Sequence, residues 1–326
     1  MPRDWGWWTE QKLDILSNYL AAFTKASTRA GTTVYLDLFA GQSENVSRER
    51  AGHVISGSAR RALETEPPFT VLRFFELAAN ASGLDRTLRA EYPDRNFRVV
   101  PGDCNQTLDQ VLHELRPLNW APTFAFLDQQ STEVKWSTLE RLAKHKKVNK
   151  PKVELWLLCA SGLLPRGLRL RQAAIDDNVA EQMTSMFGTE QWYDALLATR
   201  EGDLTGAEFR DELTNLMRWG LERQLGYKTT RVFKVKNTRG SEIFDMIFAT
   251  DHWVGDKIMK AVYSKAQSQQ QGLRERARQQ RKQSRQEQDG LVGLFDVDEA
   301  LPSRDHGYTI STADVPARPP YRHRST

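Results

Sequence analysis

Five short apolar runs, each followed by a segment of helical periodicity, constrain the fold of this sequence more than any other feature. The runs are rich in β-branched and aromatic residues, and they occupy positions 34–39, 70–75, 97–100, 123–127 and 153–158. Runs that are apolar on both faces and separated by crossover helices are typical of a parallel sheet covered by helices on both sides. The intervening patterns predict helices at 57–64, 81–92, 106–115 and 136–145. We therefore expect an α/β fold.

The pattern changes after the fifth run. Residues 166–225 show helical spacing without a strand, which predicts a helical insertion at about 165–226. Strand-like runs at 230–236 and 243–250 then flank a turn-rich connection that is typical of an antiparallel hairpin. Five parallel strands plus a C-terminal antiparallel hairpin form a Rossmann-like sheet. This strand inventory is typical of class I methyltransferases, which use S-adenosylmethionine.

The two ends of the chain carry their own patterns. Apolar positions at helical spacing predict an amphipathic helix over 9–30, capped by Thr9, and a last helix at 255–264. The stretch 265–288 contains seven basic and two acidic residues, so it holds more than the whole net charge of +4, and it is either a solvated helix or disordered. We divide the chain into three parts: an α/β domain at 1–264, a basic helix or linker at 265–295 and an irregular tail at 296–326.

Several classes of protein are excluded or disfavoured. Two cysteines, Cys104 and Cys159, are too few for a disulfide-stapled fold and form no C-x-x-C pair, so we expect no metal site. A single glycine in the first strand loop disfavours NAD and FAD, and no Walker loop or G-x-S-x-G elbow is present. No apolar run approaches the length that spans a membrane, and the first residues do not resemble a signal peptide. The sequence thus predicts a soluble, cytoplasmic protein without membrane partners.

Polar residues follow each of the first four predicted strands. Because ligands of open α/β sheets bind at the carboxyl ends of the strands, these residues predict a nucleotide-type cofactor site. A glycine turn lets backbone amides approach a ligand, and an acid after the second strand suits the hydroxyls of a ribose. The candidate cofactor-binding residues are Asp37, Phe39, Gly41, Glu76, Asp103 and Asn105.

Simpler roles remain open for these residues. Asp103 could cap the helix that follows it, which is the commoner role for a single aspartate at such a place. The fourth strand ends in Asp128 and Gln129, which we predict to be catalytic, although a polar strand end that caps the next helix is an equally simple alternative.

Several short segments resemble the bacterial three-Cys-motif partner proteins. They lie at 35–41, 57–58, 74–76, 102–105, 126–128, 136–139, 247–250 and 257–259, and the resemblance runs from about residue 12 to about residue 295. It implies a methyltransferase-like fold, S-adenosylmethionine as cofactor and association with a separate three-cysteine protein that resembles radical S-adenosylmethionine enzymes. More distantly, it implies a kinship with methyltransferases that act on nucleic-acid bases.

Two departures from that pattern bear on activity. Gln42-Ser43 replaces the proline and second glycine usual in relatives, which affects amide access to the cofactor. Asp128 is followed by Gln129-Gln130-Ser131, without the prolines and the aromatic ring that grip a flipped base in exocyclic-amine methyltransferases.

The function predicted from the sequence is therefore an S-adenosylmethionine-binding methyltransferase-like protein that acts on DNA or RNA. The alternative is a catalytically degenerate fold that serves as a nucleic-acid- or protein-binding subunit. Five arginines are candidates for contacts with phosphates, namely Arg166, Arg169, Arg171, Arg274 and Arg278.

Overall fold

The structure of the chain is a computed structural model. It describes residues 4–5, 7–47, 54–162, 164, 168, 175–236, 242–289 and 315–324.

The described strands belong to two sheets. They are β1 (Asp4–Trp5), β2 (Val34–Asp37), β3 (Glu44–Ser47), β4 (Val54–Ser56), β5 (Val71–Glu76), β6 (Phe97–Pro101), β7 (Thr123–Leu127), β8 (Glu154–Cys159), β9 (Thr229–Lys236) and β10 (Glu242–Thr250). A central sheet has the order β6-β5-β2-β7-β8-β10-β9, and a small one has the order β1-β3-β4. The fold is thus α/β and Rossmann-like in general kind, as predicted.

Helices connect most of the parallel strands, and three more follow one another after β8. The described helices are α1 (Trp7–Ala26), α2 (Ser58–Leu63), α3 (Ala78–Glu91), α4 (Cys104–Glu114), α5 (Trp136–Lys144), α6 (Asp177–Phe187), α7 (Trp192–Glu201), α8 (Gly206–Trp219), which continues as a π-helix (Gly220–Gln224), and α9 (Trp253–Asp289). In the described part of the chain, none of these helices combines the length and the apolar character needed to cross a membrane.

The order of the strands reverses next to β2. The chain builds β5 and β6 on one side of β2 and then crosses to build β7 and β8 on the other, with parallel pairing throughout. Asp37 at the end of β2 lies opposite Phe74 on one neighbour and Phe126 on the other. At such a reversal the loops that leave the two strands, here β2 and β7, run to opposite sides of the sheet; the place between them, where open α/β sheets bind ligands, is called the crevice below.

Aromatic side chains hold the first helix on the sheet. The ring of Tyr19 on α1 lies 5.2 Å from the ring of Phe124 and 5.1 Å from that of Phe248, measured between centroids. All three side chains are fully buried, and such pairs stabilise a core beyond the effect of buried area. This packing fixes α1 across β7 and β10.

Trp136 fixes the helical insertion on the other elements. A Cβ atom added to Gly188, which ends α6 with a φ of +67°, would lie 2.4 Å from the indole of Trp136. One added to Gly220 would lie 2.6 Å from the same indole. Two glycines in the insertion thus make room for the first residue of α5.

The predicted elements differ from the structure at several points. The first helix begins at Trp7 and ends at Ala26, so Thr9 lies inside it and the predicted cap is wrong. The sheet β1-β3-β4 was not predicted. The basic stretch after 264 continues α9 as a helix to Asp289, which decides between the two alternatives. Residues 315–324, the described part of the predicted irregular tail, carry no helix or strand.

Some predictions fall outside the described residues. These are the turn-rich connection of the hairpin at 237–240, the arginines Arg166, Arg169 and Arg171, and residues 290–314. Arg274 and Arg278 lie within the helix α9.

Candidate functional site

The loop that follows β2 is tied to both neighbouring strands. The backbone N–H of Leu38 donates to the carbonyl oxygen of Phe126, and that of Ala40 donates to Phe75, both at 2.9 Å. Gly41 then adopts a φ of +64°, which glycine reaches without strain. The sheet therefore fixes the course of this loop before any ligand binds.

Gly57 clamps the far side of the same loop. Its N–H donates to the carbonyl oxygen of Ser43 at 2.8 Å, and a Cβ atom at this position would lie 2.3 Å from the carbonyl oxygen of Gln42. The backbone before α2 thus approaches the loop more closely than any residue with a side chain allows. The loop 38–43 is held from three sides.

Glu76 ends β5 at the rim of the crevice. Its Oε2 accepts the N–H of Gly41 at 2.7 Å, and its Oε1 accepts Asn80 Nδ2 at 3.0 Å. Each carboxylate oxygen has two acceptor positions, and the carboxylate is partly exposed. Glu76 therefore joins the glycine loop to the next strand and retains acceptor positions for a ligand.

Asp103 caps α4, the simpler of its two predicted roles. Its Oδ1 accepts the N–H of Asn105 at 2.8 Å. The amide of Asn105 connects α4 to the segment after β7: Nδ2 donates to Glu133 O at 2.8 Å, and Oδ1 accepts the N–H of Lys135 at 3.0 Å and the hydroxyl of Thr138 at 2.7 Å. Direct contact of either residue with a cofactor stays a prediction, and the geometry gives both a positioning role.

Asp128 forms an ion pair that the sequence did not indicate. Nζ of Lys12, on α1, lies 2.6 Å from Oδ1 and 2.5 Å from Oδ2 of this carboxylate. The lysine side chain is only 5% exposed and the aspartate side chain 22%. The same Nζ lies 5.6 Å from the centre of the Phe244 ring on β10. Asp128 is thus accessible, but its charge is compensated by a buried cation.

Asp37 is a buried acid beneath the loop. Its Oδ2 accepts the hydroxyl of Tyr35 at 3.2 Å, and its Oδ1 accepts the N–H of Phe39 at 3.3 Å. Burial raises the pKa of this carboxyl to about 7, and the nearby charge of Asp128 adds to the rise, while hydrogen bonds from Ser58 and from the two other donors oppose it. Asp37 therefore supports the loop from inside, whereas its contact with a cofactor stays a prediction.

Gln129 is buried and internally bonded. Its side chain is 1% exposed. Its Nε2 donates to the carbonyl oxygen of Leu158 at 2.9 Å, and its Oε1 accepts the N–H of Val134 at 2.8 Å. These bonds fix the segment after β7 against β8. A catalytic role for Gln129 stays a prediction that this geometry does not favour.

Asp245 is a second buried acid that the sequence analysis missed. It lies on β10 opposite Cys159, so it stands at the same end of the sheet as the crevice. Its Oδ2 accepts the hydroxyl of Ser161 at 3.0 Å and that of Thr214 on α8. Burial raises its pKa to about 6. The sequence signal that could have identified it is an acid within the apolar run of β10.

No protein-family model matches the chain, and no curated protein matches it.

Proposed function

We propose that this chain is an S-adenosylmethionine-binding, methyltransferase-like protein that acts on nucleic acid and works with a three-cysteine partner. The observation that carries the proposal is the crevice at the reversal of strand order. The clamped loop 38–43 and Glu76 lie on one side of it, and Asp128 lies on the other. Ligands of open α/β sheets bind at such a place.

The edge of the sheet supports the methyltransferase class. The strand β10 runs antiparallel and is inserted between β8 and β9, although it follows both in the chain. Class I methyltransferases carry a reversed strand from a C-terminal hairpin, and the sequence resembles the three-Cys-motif partner proteins, which imply that class.

The residues at the crevice suit the cofactor. Glu76 is fixed by Gly41 and Asn80, and its remaining acceptor positions match the two hydroxyls of a ribose. A Cβ atom at Gly41 would meet no atom closer than 3.9 Å, so the space above the loop is open to a ligand. When bound, S-adenosylmethionine supplies a methyl group activated by a sulfonium.

The role of this chain is then to position the acceptor. Both carboxylate oxygens of Asp128 contact Lys12, and the side chain remains partly exposed. In this proposal the carboxylate accepts a hydrogen bond from an amine or hydroxyl of the substrate and orients that group. Because α1 packs on the sheet, Lys12 on this helix holds the carboxylate of Asp128 in one position. In this proposal, alignment of the acceptor with the sulfonium methyl group supplies most of the rate of methyl transfer.

The geometry of α9 favours nucleic acid as the substrate. At 3.6 residues per turn, positions 274, 278, 281 and 285 fall within an arc of about 60° on one side of the helix. All four are arginine. They span about 16 Å of helix axis, which suits contacts with successive phosphates. These four arginines thus belong to one continuous helix.

One observation favours the alternative function, a binding subunit without catalysis. Lys12 occupies both oxygens of Asp128, and the amide of Gln129 is buried. If the pairing with Lys12 keeps the Asp128 carboxylate from the acceptor group, the site would bind the cofactor or the partner and transfer nothing.

Calorimetric titration with S-adenosylmethionine, together with an assay of methyl transfer, separates the two functions. We expect binding at micromolar strength for the native chain and for Asp128→Asn, and a loss of tenfold or more for Glu76→Ala, because a hydrogen bond to a charged group contributes about 1.5–3 kcal/mol. Glu140→Ala, on α5, is the matched control and should bind normally. Methyl transfer to pooled DNA and RNA should be lost in Asp128→Ala, which should also keep the cofactor affinity and, unlike Asp128→Asn, leaves no side-chain oxygen to orient the acceptor group. Binding without transfer by the native chain would favour the alternative, and absence of binding would contradict the cofactor site.

A further inference from the structure

Residues 315–324 lie as an extended segment on the helices α7 and α8. The segment reads VPARPPYRHR, with three prolines and three arginines. It packs on a polar face of α8 formed by Glu212, Asn215 and Arg218, which are 6%, 7% and 7% exposed. Their spacing of three residues places them along one side of the helix.

Asn215 recognises the backbone of the segment. Its Nδ2 donates to the carbonyl oxygen of Arg318, and its Oδ1 accepts the N–H of the same residue, both at 3.1 Å. Arg218 donates to the carbonyl oxygen of Val315 and is itself held by Thr230 Oγ1 at 2.9 Å from its Nε. These bonds require an extended backbone but no particular side chain.

Charge complementarity adds selectivity for basic residues. The guanidinium of Arg318 contacts the buried carboxylate of Glu212. Further along, Arg322 lies 3.5 Å from Asp194, and His323 Nε2 lies 2.7 Å from an oxygen of Glu201 at the end of α7. The acids on α7 and α8 thus face the basic side chains of the segment.

The segment contributes little to the core. Of its side chains, Ala317 and Pro320 are buried, and the others are exposed or partly exposed. The 25 residues 290–314 separate it along the sequence from the end of α9. Proline-rich segments also lose little entropy when they bind in an extended form.

We propose that this face of α7 and α8 is a binding site for an extended, proline-rich peptide that carries arginine. The chain's own residues 315–324 occupy it, and a segment of a partner protein with the same chemistry competes for it. The site is distinct from the proposed cofactor site, because its residues lie on α7 and α8 and not on the loop 38–43 or at Glu76.

The test uses the full chain and a fluorescein-labelled peptide of sequence VPARPPYRHR. The double variant Ala317→Asp, Arg318→Glu places a charge at a buried contact and reverses the pairing with Glu212, so it should release the chain's own segment. By fluorescence anisotropy, we expect the released variant to bind the peptide with micromolar affinity. The native chain should bind it at least tenfold more weakly, because a tethered competitor acts at an effective concentration in the millimolar range.

Two controls locate the site. Adding Asn215→Leu to the released variant should abolish peptide binding, because the backbone loses both of its bonds, whereas adding Asn178→Leu, on the exposed start of α6, should not. The peptide with Arg318→Ala should bind several-fold more weakly than the parent peptide. If thermal unfolding shows that the double variant is not folded, Arg318→Glu alone replaces it, since that side chain is 55% exposed.

Three outcomes would overturn the proposal. They are no binding by the folded released variant, equal binding by the native chain and the released variant, and binding that survives Asn215→Leu. Binding that ignores the Arg318→Ala change in the peptide would overturn the requirement for arginine.

Discussion

Three acids are buried inside the sheet, and each is held by hydroxyl groups. Burial raises the pKa of Asp37 and of Glu154 to about 7 and that of Asp245 to about 6. Glu154, on β8, accepts the hydroxyl of Tyr19 at 2.5 Å and that of Thr250 at 2.8 Å, so it connects α1, β8 and β10. These groups make the stability of the fold depend on pH.

Glu154→Gln tests this dependence. Between the unfolded pKa near 4.5 and the folded pKa of about 7, the native state binds more protons than the unfolded state, so stability falls as pH rises through this window. At 1.4 kcal/mol per pKa unit, the loss attributable to Glu154 is about 3 kcal/mol. Glutamine cannot ionise, and both hydroxyls can rotate to satisfy its amide. We therefore expect the variant to lose less stability than the native chain between pH 5 and pH 8 in urea unfolding.

Glu140→Gln, a partly exposed glutamate on α5, should follow the native profile. An unchanged slope in Glu154→Gln would mean that Glu154 is already ionised in the folded chain at pH 5.

At the scale of residues, the sequence predicted which polar residues stand at the ends of strands better than it predicted what those residues contact. Glu76, Asp103 and Asp128 all stand at carboxyl ends of strands, because strand boundaries follow from apolar runs. Lys12 was missed because its partner Asp128 is 116 residues away, and the helical pattern of α1 gives no sign of a charge directed into the protein. The burial of Gln129 likewise depends on the packing of α6 and β8, which periodicity does not encode.

At the scale of elements, the loop 38–43 depends on the start of α2. Gly57→Ala would place a methyl group 2.3 Å from the carbonyl oxygen of Gln42. Backbone must then shift on one side of the clamp, which moves Gly41 away from Glu76. We expect the affinity for S-adenosylmethionine to fall at least tenfold in calorimetry, with a modest loss of thermal stability.

The matched control is Gly83→Ala, in α3, where an added Cβ atom would meet nothing within 4 Å. Alanine favours a helix over glycine by about 1 kcal/mol, so this variant should be slightly more stable and bind normally. Normal binding by Gly57→Ala would show that the clamp does not shape the site.

The elements themselves were predicted unevenly, for physical reasons. The five parallel strands and the hairpin were located within one or two residues, because strands buried on both faces leave long apolar runs. The strands β3 and β4 escaped because Glu44–Ser47 is largely polar and Val54–Ser56 is only three residues long. The extension of α9 was left open, because a polar helix without an apolar face has the same composition as a disordered segment.

At the scale of the whole molecule, charge is separated from the α/β domain. The stretch 265–288 carries a net +5 in a chain whose total is +4, and the structure makes it one helix continuous with the helix that packs on α1. The domain and its basic arm are therefore joined without a break in backbone structure. Nucleic acid bound along this arm, as proposed, would be held in a defined direction relative to the sheet.

Replacement of Arg274, Arg278, Arg281 and Arg285 by glutamine tests this arrangement. Each phosphate contact changes the slope of log K against log salt by about 0.9 on duplex DNA. The fourfold variant should therefore bind more weakly at low salt, with a slope shallower by about 3.6 if all four arginines contact phosphates, as measured by anisotropy over a salt series. Glutamine is a good helix former, so circular dichroism should stay unchanged. Lys265→Gln with Arg276→Gln, on the opposite side of the helix, should change the slope by less than one; an equal change per charge would mean that the arm attracts nucleic acid through its net charge, without a binding face.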